Sequence, residues 1–324
     1  RNVPFGQGGK ILTELLKLIA PGTPIRDGLE NILRAKTGAL LLITDNNDVI
    51  KEIVDGGFYI NEEYTSSKLY ELAKMDGAIV LSGDLKRILF ANAQLIPSRE
   101  IETRETGTRH RTAERTAKQT GELVISISQR RNIITIFKGD FRYILEDTNA
   151  VLNKANQGIQ TLERYRKVFD NRLSILNEYE FNDIVTLKNV IDVIQRAERV
   201  RRIADEIKNQ IYELGVDGRL VSMQLRELMG GLEKEEELII KDYIVASKST
   251  RKKKTPENVI EELSKIQYEE MTRENTIAKL LGYETFDNYD EVGVYTRGYR
   301  ILNKIPRMPS NIVENLVSSC NSFQ

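Results

Sequence analysis

The hydrophobic periodicity of this chain changes near residue 140, and the change limits what it can fold into. Upstream, short apolar runs ended by turn residues alternate with stretches of helical spacing. Downstream, apolar residues recur almost only at intervals of three and four. A mixture of the two periods makes a sheet covered by helices, whereas the helical period alone makes a bundle. Two domains of different class are therefore expected, and 324 residues is a length that ordinarily divides.

In the first region, residues 38–43 form a short apolar run ended by 44–47, which reads as a buried strand and a turn. Residues 54–60 read as a strand broken by a Gly-Gly bend, and 78–81, 88–90, 123–127 and 132–137 add four more strands. Helical spacing appears at 66–75 and at 111–119, the latter stopped by Gly121. Earlier helical patterns at 11–19 and 29–35 are expected to cover one sheet face. The expected fold is α+β/α: a mixed-sheet α/β domain over 1–140, then an elongated all-helical domain over 141–304.

Three amphipathic stripes define the second region. One runs through Leu152, Ala155, Ile159, Leu162, Phe169, Leu173 and Leu176. The next takes Ile184, Leu187, Ile191, Ile194, Val200, Ile203 and Ile207, and a third covers 220–244. Long helices of this kind suit a spacer or an assembly element better than a catalytic pocket. The basic run 248–254 interrupts them and reads as a solvated loop with some capacity for phosphate contact; Pro256 can open the next helix.

Composition removes several functions. Lys plus Arg and Asp plus Glu both number 48, so the net charge is zero and a globally basic nucleic-acid binder is excluded. One Cys excludes an internal disulfide framework and any Cys-based zinc site, and one His excludes a multi-His metal site. The longest apolar run, 39–43, is far short of the ~20 residues a spanning helix needs, so no membrane is expected. With no apolar leader at the start, the expected compartment is cytoplasmic. The first residue is Arg1, not Met, which suggests a trimmed chain.

The densest polar constellation lies between 98 and 131. Thr108, Arg109, His110, Arg111 and Thr112 stand at a helix start after Gly107. Helix N-termini attract anions, and two guanidinium forks with two hydroxyls add donors suited to phosphate oxygens. The lone His makes a metal site only if phosphates and a carboxylate complete the shell. Asp76-Gly77-Ala78 lies between a helix and a strand, where a carboxylate can hold Mg2+ or Mn2+ or take a proton from a hydroxyl. An Asp-Gly pair is also an ordinary turn. The string 6–9 has three glycines but no preceding strand and no following Lys-Ser/Thr, so it is read as a terminus rather than a phosphate loop. Ser126 and Ser128 carry no argument for a nucleophile.

The segments 74–80 and 105–115 resemble the Asp-Gly-Ala and Arg-His-Arg motifs of the diadenylate cyclase family. The likeness extends to 91–95 and 128–134, and the region through 297–307 is similar to the branch of that family with a helical spine. The resemblance implies a metal-dependent enzyme that joins two ATP into cyclic di-AMP and releases two pyrophosphates. It implies an octamer whose cyclase domains meet face to face, and branched DNA as the full-length family's partner. By the same likeness, Asp76 activates the ribose 3′-hydroxyl with the metal, and Gly77 and Leu95 line the nucleoside. Thr108, Arg109, His110, Arg111 and Thr112 bind the triphosphate, with His110 also facing the metal, and Ser128 and Arg131 lie at a matching strand end. Residues 305–324 resemble the opening helix of the family's helix-hairpin-helix domain. The hairpins that hold DNA are missing, so duplex binding by this chain is not expected. The alternative is a DNA-binding, scanning structural protein whose Arg-His-Arg segment grips backbone phosphate.

Overall fold

The computed structural model describes residues 7–245 and 255–319. The basic run 248–254, Gly6 and the last residues of the 305–324 segment lie outside them. The chain divides into two compact units, Arg1–Asn153 with Tyr212–Arg219, and Lys154–Ile211 with Leu220–Gln324.

The first unit is a sheet between helical layers. In chain order it comprises α1 (Gln7–Leu18), α2 (Pro24–Arg34), β1 (Ala39–Ile43), α3 (Asn47–Ile53), β2 (Val54–Asp55), β3 (Phe58–Glu63) and α4 (Ser66–Leu72). Then come β4 (Ala78–Leu81), β5 (Arg87–Leu95), α5 (Thr108–Thr120), β6 (Leu123–Ser128), β7 (Ile133–Lys138) and β8 (Phe141–Leu145). The strand order is β2-β5-β4-β1-β6-β7-β8, with β3 also paired to β5. β1 and β4 run parallel, Leu40 opposite Ala78, and the other pairs are antiparallel.

β1 is buried at every position because both faces of the sheet are covered. Leu41 and Ile43 face the layer of α1, α2 and α4, packing with Leu29, Ile32 and Leu69. Leu40 and Leu42 face α3 and α5, packing with Ile53, Ala113 and Ala117. The early helices thus cover one face, as expected. Capping fixes the helix starts: Thr23 accepts the Arg26 N–H ahead of α2, and Thr65 accepts the Lys68 N–H ahead of α4.

Two elements depart from the sequence reading. The polar string after β1 leads into α3, because Asn46 Oδ1 accepts the Asp48 N–H and starts a helix rather than ending a turn. β8 is added at the sheet edge, with Phe141 opposite Lys138. This strand belongs to the first unit, which runs to Asn153.

The rest of the described chain is helical and supplies the second unit: α6 (Thr148–Phe181), α7 (Leu187–Leu214), α8 (Arg219–Met229), α9 (Leu232–Tyr243), α10 (Pro256–Lys265), α11 (Tyr268–Met271), α12 (Glu274–Leu281), α13 (Tyr299–Asn303) and α14 (Ser310–Ser319), the first turns of α6, the end of α7 and Arg219 lying in the first unit. The stripe residues Leu162, Phe169, Leu176, Leu187, Ile191 and Ile194 are all fully buried. Ile184 leaves the expected stripe: it precedes α7 and is 56% exposed. Arg300 and Glu180 form a fully buried ion pair, and Asp242 accepts the N–H groups of Tyr299 (2.7 Å) and Arg300 (3.1 Å) at the start of α13. Burial pushes Asp242 up to about 6 against those two bonds, which lower it.

Leu41 is 0% exposed in the central strand. Leu41→Ala should lower the first unit's stability by about 2–5 kcal/mol, from lost burial and the cavity left. Phe58, 59% exposed on β3, should lose no more than about 0.5 kcal/mol on the same change. Urea unfolding of the two variants checks the contrast.

Candidate active site

The parallel pair places the starts of β1 and β4 side by side, and antiparallel pairing brings the ends of β5 and β6 to the same edge of the sheet. The expected site segments collect there. Asp76 lies on the turn entering β4 with its side chain fully exposed. Arg109, in the first turn of α5, directs Nη2 to 3.9 Å from Asp76 Oδ1. Gly107 is the N-cap of α5 and supplies no side-chain bond, so the first-turn N–H groups have no side-chain cap.

Successive residues of α5 point in different directions. Arg109 turns toward Asp76, His110 into the sheet, and Arg111 to the exterior. Thr108 is exposed and Thr112 half-buried. The His110 ring lies over a cross-strand pair: Nδ1 is 3.2 Å from Ser126 Oγ, and Nε2 is 3.4 Å from Thr135 Oγ1. Phe137 meets the ring edge-on at 6.3 Å. Both ring nitrogens are thus engaged, and the metal role expected of His110 does not fit this placement. Burial holds the imidazole below its usual value; Glu105 opposes that shift, while Arg131, Arg142 and Arg109 add to it.

Gly77 has φ +106°, and a Cβ there would sit 2.8 Å from the Ala93 carbonyl oxygen and 2.9 Å from the Asn92 carbonyl carbon. Asn92 itself has φ 54° where β5 slips register against β4. Leu95 closes β5 at the same edge but is 9% exposed, with most of its side chain in the core of the α3–α5 layer. Ser128, the last residue of β6, accepts the Arg131 N–H at 3.2 Å, and Arg131 is exposed.

Sequence reasoning missed the groups that hold the segment before α5. Buried Glu114 accepts the Thr103 hydroxyl and the Arg104 N–H (3.1 Å) and pairs with Lys118 (2.9 Å). Burial alone would raise Glu114; the bonds from Thr103, Lys118 and Arg104 bring it below the usual range. Arg115 Nε donates to the Ile101 carbonyl (2.8 Å), and Glu105 pairs with Arg142 on β8. The signal was available for Glu114, which follows His110 by four residues and so shares its inward face.

A metal fits Asp76 better than His110. The carboxylate is a hard oxygen donor open to solvent, and Mg2+ is commonly held by one or two carboxylates with substrate phosphates. Among the described residues no group of three His, Cys, Asp or Glu is placed to hold a metal ion by itself. No helix among them is long and apolar enough to cross a membrane.

Comparison with known proteins follows the same division. A family described as DisA bacterial checkpoint controller nucleotide-binding matches residues 26–141, and one described as the DisA bacterial checkpoint controller linker region matches 145–289. The DNA integrity scanning protein DisA of Clostridioides difficile (strain 630) is 54% identical, over 95% of this chain and 85% of the relative. That of Clostridium perfringens (strain 13 / Type A) is 52% identical, over 94% of this chain and 84% of the relative. Two solved structures are more distant. A hypothetical membrane spanning protein from Bacillus cereus has TM-score 0.34 and 21% identity, over 38% of this chain and 62% of its own. A double mutant of DacA from Staphylococcus aureus has TM-score 0.30 and 17% identity, over 44% of this chain and 91% of its own.

The nucleotide-binding match, laid over the Asp-Gly-Ala turn and the Arg-His-Arg helix start, defines an enzyme of the diadenylate cyclase class. At over half identity across nearly all of its length, the chain belongs to the DisA family.

The His110 environment predicts a pH dependence. The folded state keeps the ring neutral, below its ordinary value of 6.5, so the unfolded chain takes up its proton first as pH falls. Stability from this group should be complete above pH 6.5 and decline as pH drops through the lower folded value. Unfolding free energies of wild type and His110→Gln should converge toward low pH.

Proposed function

We propose that the enzyme condenses two ATP into cyclic di-AMP with release of two pyrophosphates, and that Asp76 and Arg109 stand at the centre of the reaction. The observation that carries this reading is the 3.9 Å approach of Arg109 to the exposed Asp76 across an open sheet edge. A carboxylate beside an anion-binding helix start is the arrangement that hydroxyl attack on a phosphate requires.

In this reading Asp76 receives the proton of the ribose 3′-hydroxyl. Negative charge builds on the α-phosphoryl group and the departing pyrophosphate. The free N–H groups at the start of α5, the guanidiniums of Arg109 and Arg111, and the hydroxyls of Thr108 and Thr112 stabilise it. His110 does not touch the phosphates; its bonds to Ser126 and Thr135 fix the helix start that does. Gly77 allows close backbone approach to the nucleoside, Leu95 offers its small exposed surface, and Ser128 and Arg131 flank the phosphates from the next strand end. When bound, a divalent cation, Mg2+ or Mn2+, held by Asp76 and phosphate oxygens supplies further positive charge there.

The stoichiometry implies assembly. One chain carries one Asp-Gly-Ala and one Arg-His-Arg segment, enough for one nucleotide. Two equivalent attacks closing a ring call for two nucleotides related by a two-fold axis, with two cyclase domains face to face. We assign the helical spine over 141–304 to holding such domains in a larger assembly, with an octamer as the expected size. We place the activity in the cytoplasm. The relatives' name points to DNA as a partner of the full-length family.

Two outcomes follow. Asp76→Asn should retain ATP binding and lose at least ~100-fold in turnover, the scale of a lost general base. Mass detection of cyclic di-AMP checks it, and near-normal production would remove Asp76 from the mechanism. Activity per chain should also fall on dilution through the dissociation range of the assembly. A monomer, verified by light scattering under assay conditions, with undiminished activity would sink the shared site.

A further inference from the structure

We propose that Gly38 is a positioning residue for the reaction: by lacking a side chain it leaves the space in which the Arg109 guanidinium lies, facing Asp76. This rests on Arg109 being a phosphate-binding group. Gly38 directly precedes β1, whose start neighbours the start of β4 and hence Asp76 and Gly77. A Cβ at Gly38 would overlap Arg109 Nη1 outright, come within 3.0 Å of Arg109 Cζ, and approach the Ile127 carbonyl oxygen at 3.1 Å.

The need for glycine here differs from that at Gly77. Gly77 has φ +106° and faces fixed backbone, so any side chain strains the fold. Gly38 is outside the left-handed region, and the group it would strike hardest is the end of a long flexible side chain. An alanine at 38 therefore moves Arg109 first and asks the Ile127 carbonyl for only a few tenths of an ångström. Arg109 reaches across from α5 with its side chain 36% exposed, and Gly38 and Asp76 are the two points that define where its fork rests. Held there, the guanidinium needs no ordering when a triphosphate arrives; displaced, it loses its preset direction.

The test is Gly38→Ala in the full chain, beside Arg109→Ala and the double variant, with ATP and adenosine affinities by calorimetry and a crystal structure of Gly38→Ala. Loss of a charge-assisted bond should weaken ATP about tenfold in Gly38→Ala and leave adenosine within about twofold. The double variant should bind ATP no worse than Arg109→Ala alone, because the glycine acts only through that arginine. The crystal structure should show Arg109 moved off residue 38. Wild-type ATP affinity in Gly38→Ala, equal losses for ATP and adenosine, fully additive losses in the double variant, or an unmoved Arg109 would each overturn the proposal. If Arg109→Ala itself binds ATP normally, the phosphate role of Arg109 falls first, and with it the reading on which this proposal rests.

Discussion

The arrangement of this enzyme depends on a single parallel strand pair in an otherwise antiparallel sheet. A parallel pair needs a long crossover, and here α3, β2, β3 and α4 supply it between β1 and β4. Its geometric result is that two chain segments enter the sheet at neighbouring points. One entry carries Gly38, the other Asp76 and Gly77. In an all-antiparallel meander, the neighbour of an entering strand is a leaving one, and these two turns would lie at opposite edges.

The second dependence is the attachment of the 98–106 segment to the helix that follows it. Side chains from the inner turns of α5 reach back to it: Glu114 to Arg104, Arg115 to Ile101, Lys118 to Glu102, and Gln119 to the Ser98 N–H. The helix thereby anchors its own lead-in, and its capless first turn stays at a set place on the edge. The His110 contacts with Ser126 and Thr135 fasten the same turn from below. Fixed donors lose little free energy to reorganisation when charge develops in front of them.

The sequence revealed the fold where burial dominated and obscured it where local polar chemistry could mean two things. The runs at β1 and β4 are apolar on both faces, those at β6 and β7 nearly so, and all four read plainly as strands. The start of α3 did not, because an Asn-rich string serves equally as a turn and as an N-cap. β8 escaped because Arg142 and Tyr143 give an edge strand the polarity of a loop. At the site, Asp76 and the Arg-His-Arg segment were legible because their chemistry lies in the side chains. Gly38 and Asn92 stand out only by a missing Cβ and a left-handed backbone, which residue type alone does not signal. The true surroundings of His110 depend on Ser126 and Thr135, brought together only by the β6–β7 register.

The direction of β4 has a practical consequence at its far end. This strand starts at the candidate site and leaves the sheet at the hairpin turn before β5, roughly 13 Å away at ~3.3 Å per residue. Lys86, on that turn, has its side chain 80% exposed. A fluorophore attached at Lys86 would therefore sit at the far end of the strand that begins beside Asp76. The polarity of one strand thus marks where the protein can carry a label away from that end of the sheet.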